Sequence, residues 1–485
     1  MLSTACRRKA APLYTGITTL IGTWFRVERG VVDDPADSTR NRDRPAHDPR
    51  LSAECSPAGL YRARSPRSTP LYRLFEAHFD EVKAQWEERF ERQYGYWRGL
   101  VDEQVWRYLD CGLFEHGFAR VRCPDCAQEY LLAFSCKTRD LCPSCAAKRS
   151  AATAALLADE VFQPVGHAQW VLTVPKMLRP YFLHHRELLG PLARAAWQTA
   201  LEMIRAAAAD DELQPGMVGV VQTAGDLANW HPHVHALVSR GGWTRDWQWV
   251  GVPYVDERSA ELLFRHKVLR LLQDEGLLSE ERTNLLLSWR HTGFSVHTQV
   301  RVEPEDSQAL ERLTRYILRS PVSLERMRWN GVDDVRYRRK SGHDGASPFA
   351  AAEETFDPLD FLARVIMHIP APRRHLVRYY GAYSNAARGR RRRASEIGSR
   401  DELHATETGA SDLDAKTLRR RWATLIKRVY EIDPLICPAC GAEMRIIAFI
   451  VDPDVVDAIL RHISPPSAHQ PSRAPPQGER LATVS

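Results

Sequence analysis

The pattern of hydrophobic and polar positions divides the middle of the chain into alternating helices and strands. From Pro70 to Trp86, apolar side chains recur every three or four residues, which predicts an amphipathic helix. Short apolar runs, continuous or alternating, predict strands at 170–174, 218–221, 232–238 and 296–302. Helical spacing predicts helices near 185–208, 258–289 and 304–319. Strands interleaved with helices predict an α/β (α+β) sheet domain between roughly 160 and 330.

The stretches around this region set the predicted domain boundaries. Residues 1–68 show neither helical nor strand periodicity, and we expect a disordered arm or an extension from too early a start. The Pro-rich tail at 463–485 is also expected to be disordered. The segments predicted between them are a helical, cysteine-rich domain at 70–155, a sheet domain at 160–385, a basic linker at 386–415 and a C-terminal segment with a Cys-x-x-Cys pair at 416–462.

Composition narrows the class of protein. Hydrophobic residues make up 44% of the 485 residues, which is enough for buried cores. The formal net charge of +6 is a small excess that suits a polyanionic partner. The longest apolar run, Ile446–Val451, is too short to span a bilayer, and the N-terminal stretch lacks a clear signal-peptide cleavage site. We therefore expect an intracellular protein with no membrane partner.

The cysteines fall in clusters typical of metal sites. Cys123 and Cys126 form one Cys-x-x-Cys pair, and Cys142 and Cys145 form a second pair after fifteen intervening residues. Each pair makes a tight turn that aims two thiolates at one ion, so two pairs complete a tetrahedral zinc site. We expect this single four-cysteine zinc rather than two ions. Further candidate ligands in the same segment are Cys111, His116 and Cys136. The alternative for these extra cysteines is burial as apolar thiols.

A third pair, Cys437 and Cys440, lies far from the others along the chain. Two thiolates are half of a tetrahedral site, and no nearby cysteine completes it. His462 is the closest later imidazole, and a ligand from a distant segment is another alternative. We expect the pair to hold no metal.

The strand predicted at 232–238 carries two histidines on one face. Successive side chains on a strand point to opposite faces, so His233 and His235 lie on the same side, about 7 Å apart. Two imidazoles placed in this way can bind one cation. His231 has the same parity but precedes Pro232. A His-x-His motif alone is weak evidence, and the sheet context together with a suitable tyrosine downstream strengthens it.

Tyr316 lies in the helix predicted at 304–319. Arg312 precedes it by four residues and Arg319 follows it by three, so both flank it on the helix surface, and Arg315 is its neighbour. Guanidinium groups there can hold a phosphodiester and stabilise a phenolate. The alternative is a tyrosine at the edge of the core beside solvated arginines, and the histidines upstream argue against it.

Taken in order, several segments resemble the insertion-sequence-91 family of HUH transposases, which are related to rolling-circle replication initiators. The resemblance covers roughly 70–455. Its motifs are Leu109–Gly112, Ser135–Arg139 before Cys142–Cys145, His231–His235, Thr292–His297, Arg315–Tyr316 with Pro321, Arg378–Gly381, and Asp433–Leu435 with Cys437–Gly441. The resemblance implies a zinc-binding, DNA-binding domain at 70–155, followed by a metal-dependent HUH nuclease domain with an antiparallel sheet at 160–385.

The chain departs from the family pattern in one respect. Some members carry two tyrosines four residues apart on the catalytic helix, and the earlier position here is Arg312. The chain therefore resembles a single-tyrosine member with Tyr316 as its nucleophile. We expect one protomer to hold one DNA end covalently at a time. The alternative nucleophiles, in a later Arg-flanked segment, are Tyr379, Tyr380 and Tyr383.

The resemblance also implies a mechanism. His233 and His235 would bind Mg²⁺ or Mn²⁺ with an oxygen ligand, for which Gln222 and Asp226 are candidates, while Zn²⁺ would be structural. Tyr316 would attack the scissile phosphate and form a 5′-phosphotyrosine. The expected DNA-binding side chains are Arg312, Arg315 and Arg319. The expected partners are single-stranded or hairpin DNA at element ends and target DNA, in a cytoplasmic, nucleoid-associated bacterial protein.

Two other functions stay open at this point. A plasmid-type rolling-circle replication initiator or relaxase would use the same chemistry, and the position of the gene between element ends or beside a plasmid origin would separate the two. A non-enzymatic, zinc-dependent DNA-binding protein would have structural histidines. A nicking assay on single-stranded DNA with Mn²⁺ would decide between this DNA-binding protein and an enzyme.

Overall fold

The computed structural model describes residues 65–339, 353–401, 437 and 439–463. The predictions of disorder near the two ends of the chain fall almost entirely outside these residues. The described helices are α1 Pro70–Ala84, α2 Trp86–Arg89, α3 Glu91–Tyr94, α4 Leu100–Leu109, α5 Pro143–Leu156, α6 Arg179–His184, α7 Leu189–Ala208, α8 Glu257–Asp274, α9 Glu280–Ser288, α10 Ser307–Ile317, α11 Pro358–Met367, α12 Asn385–Asp401 and α13 Pro453–Ile463. Among them, none has the length and apolar character needed to cross a membrane.

The strands of the described part belong to small antiparallel sheets and one larger sheet. They are β1 Phe118–Arg122, β2 Glu129–Ala133, β3 His167–Thr173, β4 Gly216–Ala224, β5 Trp230–Ser239, β6 Gly241–Trp243, β7 Trp249–Gly251, β8 Ser295–Val302, β9 Met327–Arg328, β10 Val335–Arg338, β11 Glu353–Phe356, β12 Val377–Gly381 and β13 Arg445–Ile450. The larger sheet has five strands in the order β12–β4–β5–β3–β8, and every neighbouring pair is antiparallel.

Helices cover both faces of the five-stranded sheet. On one face, Leu192 of α7 and Phe264 of α8 share a core with Val234 of β5. On the other face, Leu310 and Ile317 of α10 belong to a smaller core. Strand β5 lies at the centre of the sheet and is buried on both faces over most of its length, as its apolar composition requires. The sheet thus fixes the side chains of β5 in a rigid, packed layer.

A second group of helices packs beside the sheet. Phe75 of α1 and Tyr108 of α4 meet edge to face at a centroid distance of 5.8 Å. Both belong to a core that also contains Phe361 of α11. Next to it, β1 and β2 form a hairpin, and β13 from near the end of the chain pairs with β1 to give the order β13–β1–β2. This pairing joins segments that the sequence analysis had placed in separate domains.

The predicted α+β class with antiparallel sheets is confirmed, while two local predictions need correction. The helix predicted at 258–289 is divided into α8 and α9. Gly276 adopts a φ of +70°, a conformation that favours glycine, and the Ser279 side chain caps α9 by accepting a hydrogen bond from the amide of Arg282. The first part of the predicted basic linker is helical, because α12 continues to Asp401.

A buried hydrogen bond connects β3 to the chain just before α12. The Tyr383 hydroxyl donates to Nε2 of His167 at 2.6 Å, and the other ring nitrogen donates to the carbonyl of Val165. Burial lowers the pKa of His167 to about 4, so the ring is neutral at physiological pH. Burial also raises the pKa of Tyr383, and the nearby guanidinium of Arg391 opposes this shift.

Candidate active site and cysteine clusters

Three histidines line one face of β5. His233 and His235 are buried, with 8% and 6% of their surface exposed, and their Nε2 atoms are 3.1 Å apart. The ring of His231 lies 5.0 Å from the ring of His233. The alternation of side chains on the strand brings these rings together, as the sequence pattern predicted for His233 and His235.

Hydrogen bonds orient the two buried rings. Nδ1 of His233 donates to the carbonyl oxygen of His231 at 2.7 Å, which leaves a lone pair on Nε2. Nδ1 of His235 lies 3.0 Å from the side-chain amide of Gln169, a buried residue of β3. The Nε2 of Gln169 donates this hydrogen bond, which places the ring proton of His235 on its Nε2, facing the lone pair of His233. Half a turn of the Gln169 amide would instead present its oxygen to Nδ1 and free the lone pair on Nε2 of His235, so that both Nε2 atoms could bind one ion.

The separation of the two nitrogens fits a divalent cation. Ligands at about 2.1 Å in octahedral geometry lie about 3 Å apart when they are adjacent. The 3.1 Å between the Nε2 atoms of His233 and His235 matches this separation. Such an ion would need oxygen atoms or water in its other positions, because Mg²⁺ and Mn²⁺ favour oxygen donors.

The two candidate oxygen ligands differ in their surroundings. Gln222 of β4 lies opposite His233 in the strand register, and its side-chain nitrogen donates to the carbonyl of Ile317 at 2.6 Å. It therefore ties β4 to the end of α10 beside the histidines. Asp226 accepts from Arg326 at 2.6 Å and lies 3.9 Å from Arg339. Of the two candidates, only Gln222 is paired across the strands with a site histidine.

Tyr316 projects from α10 toward the histidines. The helix begins at Ser307, where the Asp306 side chain accepts from the amide of Ala309 at 2.7 Å, and its apolar stripe faces the sheet. The Tyr316 ring meets the ring of His235 edge-on, with centroids 6.1 Å apart and planes at 88°. Because 39% of Tyr316 is exposed, its hydroxyl is accessible to a substrate.

The arginines near Tyr316 have different roles. The Arg319 guanidinium stacks on the Tyr316 ring at 4.2 Å, and its Nη2 donates to the phenolic oxygen at 3.3 Å. Arg315 forms an ion pair with Glu311 at 2.8 Å along the same helix, and Arg312 is exposed. Of the three arginines predicted to contact DNA, Arg319 is therefore the one positioned directly on Tyr316.

Buried groups hold the beginning of β5 in place. The indole ring of Trp230 stacks on His368, with centroids 6.0 Å apart, and the Arg186 guanidinium lies 4.7 Å from the indole. His368 is also hydrogen-bonded to Thr223 and to the carbonyl of Ala228, both at 2.9 Å. Burial lowers the pKa of His368 to about 4, so it serves as a neutral structural ring.

Eight cysteines of the described residues form two groups of four rather than the single predicted site. The first group consists of Cys111, Cys136, Cys142 and Cys145, all buried. Its Sγ–Sγ distances include 3.6 Å from Cys145 to both Cys111 and Cys136, and 3.7 Å from Cys142 to Cys111. A tetrahedral zinc with bonds of 2.3 Å places its sulfurs about 3.8 Å apart, so the group fits this ion.

The second group joins Cys123 and Cys126 to Cys437 and Cys440. The prediction that the first two pairs share one ion is therefore wrong, and for the last pair the structure brings in thiols from a distant segment, which was one of the alternatives. The physical reason is the β13–β1 pairing, which brings the C-terminal turn against the N-terminal hairpin. Neither group includes His116, which pairs with Asp110, or His462.

Gln169 and the division of the cysteines were missed from the sequence. Gln169 is a polar residue inside an apolar strand, 6% exposed, and this contrast was the available signal. A buried polar side chain needs a partner, and His235 provides it. The pairing of distant cysteines has no comparable local signal, because the ligands of the second group are up to 317 residues apart.

Two families of known proteins match the chain, one over the cysteine-rich region and one over most of the sheet domain. Residues 78–174 match a family described as a transposase zinc-binding domain, and residues 216–391 match one described as "Putative transposase". The first match contains the whole first cysteine group, and the second contains the histidines and Tyr316. Cys437 and Cys440 lie outside both. No solved structure matches the chain significantly.

Two relatives cover most of the sequence. A transposase for insertion sequence element IS801 from Pseudomonas savastanoi pv. phaseolicola is 26% identical over 428 residues, covering 84% of this chain and 94% of the relative. A putative transposase, y4qJ, from Sinorhizobium fredii is 27% identical over 357 residues, covering 68% of this chain and 84% of the relative.

Proposed function

Because the chain belongs to the insertion-sequence-91 family of transposases, we propose that it cuts and rejoins single-stranded DNA at element ends with Tyr316 as its nucleophile. The observation that carries the proposal is the position of Tyr316, whose ring lies 6.1 Å from that of His235 and under the Arg319 guanidinium. The proposed nucleophile Tyr316, the two histidines and the guanidinium group of Arg319 thus lie together on one face of the sheet.

The chemistry is a transesterification. The Tyr316 oxygen loses its proton and attacks the phosphorus of the scissile phosphodiester, while the bond to the 3′-oxygen breaks and that oxygen takes up a proton. Arg319 stabilises the developing phenolate and binds a phosphate oxygen. Mg²⁺ or Mn²⁺ held by His233 and His235, with Gln222 opposite His233 as the candidate oxygen ligand, would supply Lewis-acid stabilisation of the phosphate charge.

The reverse reaction rejoins strands. A 3′-hydroxyl, from the donor or from a target site, attacks the phosphotyrosine and releases Tyr316. One phosphodiester is exchanged for another at each step, so the reaction needs no nucleotide cofactor. Arg312 occupies the position of a second tyrosine, so one protomer holds one 5′-end covalently at a time.

A row of polar side chains leads from the histidines to the edge of the sheet. Thr173 of β3 lies opposite His233 in register, and its hydroxyl is hydrogen-bonded to Ser295 of β8 at 2.7 Å. Two residues along β8, His297 is exposed on the same face. We place the nucleotides next to the scissile phosphate along this row, where hydroxyl and imidazole groups can contact the backbone.

A nicking assay on a labelled single-stranded oligonucleotide tests the proposal. With Mn²⁺ present, the wild-type chain should release a 3′-hydroxyl product, whereas His233→Ala and His235→Ala should not. DNA binding and zinc content should be retained, because neither histidine belongs to a cysteine group. His266→Ala, an exposed histidine of α8, is the matched control. Full activity of the doubly substituted protein would overturn the assignment.

A further inference from the structure

We propose that Cys123, Cys126, Cys437 and Cys440 bind a second zinc ion, which fastens the C-terminal segment of the chain to its N-terminal zinc module. The family match to a zinc-binding domain ends at residue 174, so it does not include half of these ligands. The proposal is independent of the nicking chemistry, because it concerns residues that lie outside the histidine site.

The sulfur positions fit a tetrahedral ion. Sγ of Cys123 lies 3.5 Å from Sγ of Cys440, and Sγ of Cys126 lies 3.4 Å from Sγ of Cys437. All four ligand atoms lie within 4.8 Å of one another. Zinc–sulfur bonds of 2.3 Å predict separations of about 3.8 Å, whereas a disulfide requires about 2.05 Å. The distances therefore favour a shared ion over two disulfides.

The two turns that carry these ligands have the same backbone design. In the first, the amide of Cys123 donates to the carbonyl of Gln128 at 2.8 Å, and Ala127 donates back to Cys123 at 3.1 Å. The residue four positions after the leading cysteine has a positive φ of 59°. This conformation turns the chain sharply and places both thiols of the pair on one side.

The C-terminal turn repeats each of these features. The amide of Cys437 donates to the carbonyl of Ala442 at 2.8 Å, and Gly441 donates back to Cys437 at 2.9 Å. Gly441, again four positions after the leading cysteine, has a φ of 75°. Two turns of identical geometry that face each other with four thiols form a built metal site rather than a chance contact.

The strands that extend from the turns hold them in register. Arg122 at the end of β1 pairs with Arg445 at the start of β13, and Phe118 pairs with Ile450. Val121 and Met444 are buried together with the leading cysteines. The assembly is a three-stranded zinc-ribbon arrangement. One half precedes the sheet domain in the sequence and the other half follows it. The bound ion would therefore link the segments that flank the sheet domain along the chain.

The two metal sites differ in accessibility. All four cysteines of the first group are buried, whereas Cys126 and Cys440 are exposed. The second zinc should therefore leave first when a chelator is added. Zinc release followed with a zinc-sensitive dye should show two phases of equal amplitude, the faster one from this site.

Zinc analysis of the purified full-length chain, kept reduced, tests the proposal. The wild-type protein should contain two zinc ions, and Cys437→Ser and Cys440→Ser should each contain one and lose the fast phase. Ala439→Ser, a change in the same turn without loss of a ligand, should keep both. Because Cys440 is exposed, its replacement should leave the circular dichroism of the remaining chain intact, which separates ligand loss from misfolding.

Several results would overturn the proposal. The site would be excluded if the wild-type protein contained one zinc ion, or if both cysteine variants kept the wild-type zinc count. It would also be excluded if mass spectrometry showed disulfides between these cysteines in the reduced protein. Replacement of zinc by Co²⁺ gives a second readout. The intensity of the cobalt–thiolate absorption should halve in Cys440→Ser, and an unchanged spectrum would contradict the assignment. Neither measurement depends on nicking activity.

Discussion

The hydrogen bond between Gln169 and His235 allows a direct test of how the active site is positioned. Replacing Gln169 with Met keeps the side-chain volume but removes the polar partner of Nδ1, 3.0 Å away in a buried environment. Gln169→Glu instead provides a carboxylate oxygen that accepts from Nδ1 and keeps the lone pair on Nε2. The first change should therefore weaken binding of a cation by His235, and the second should preserve it.

The magnitude follows from the burial of the interaction. A buried nitrogen left without a hydrogen-bond partner costs about 1–3 kcal/mol, and each 1.4 kcal/mol corresponds to a factor of about ten in an equilibrium constant. Loss of comparable supporting contacts at metal sites weakens metal affinity or activity about 10–100-fold. We therefore expect the Mn²⁺ concentration for half-maximal nicking to rise about 10–100-fold in Gln169→Met.

The assay is a titration of Mn²⁺ against the initial nicking rate on a single-stranded oligonucleotide. Gln169→Met should shift the midpoint with a smaller effect on the saturating rate, and Gln169→Glu should titrate close to wild type. Gln248→Met, in the exposed turn between β6 and β7, is the matched control and should have no effect. An identical midpoint for wild type and Gln169→Met would refute the positioning role.

Three further predictions concern stability, zinc and the nucleophile. Burial lowers the pKa of His167 to about 4 from an unfolded value near 6.5, so the contribution of His167 to the free energy of unfolding is complete above pH 6.5 and declines as pH falls. In urea unfolding, the wild type should lose about 2 kcal/mol more stability than His167→Asn between pH 7 and pH 5. Equal losses in the two proteins would contradict this. Cys142→Ser should lose the first zinc and the fold of the zinc module, and a variant that has lost this zinc but keeps wild-type protease resistance would exclude that role. Arg319→Ala should slow formation of the covalent adduct about 10–100-fold, since a hydrogen bond to a charged group contributes about 1.5–3 kcal/mol. Arg315→Ala, which breaks the ion pair with Glu311 and leaves the contact between Arg319 and Tyr316 in place, should change the rate far less, and equal effects would refute the assignment.

The sequence predicted those features of the site that depend on local periodicity. Alternation along one strand was enough to place His233 and His235 on one face, since side-chain direction there is a property of the strand alone. Helical spacing likewise placed Arg319 beside Tyr316 on the helix surface. The structure adds that this helix crosses the same face of the sheet, so that Tyr316 meets His235. This contact depends on packing of segments far apart in the chain.

The cysteines illustrate where local reasoning fails. Spacing identified each Cys-x-x-Cys pair, because a tight turn is a local structure. It did not identify which turns meet, and the nearer partner in sequence was the wrong choice. Strand pairing between β1 and β13 decides the grouping, and this pairing involves a separation of more than 300 residues along the chain. Cys111 and Cys136 then complete the first group.

The structure also ranks the alternative nucleophiles. The Tyr380 ring stacks on Trp197, with centroids 5.5 Å apart and planes at 11°, and burial raises its pKa. Tyr383 is buried and donates its hydroxyl hydrogen bond to His167. These contacts commit both rings to the packing of the sheet domain. Tyr316 combines exposure with contact to His235, and these two features are why we propose it as the nucleophile.

Mapping of the covalent adduct is the most direct test of the proposed function. The chain is incubated with a single-stranded element end and Mn²⁺, digested, and the DNA-linked peptide is identified by mass spectrometry. The phosphotyrosine should map to Tyr316, and Tyr316→Phe, which keeps the ring and its packing but removes the attacking oxygen, should bind the DNA normally and form neither adduct nor nick. An adduct on Tyr379 or Tyr380, or an undiminished yield in Tyr316→Phe, would contradict the account.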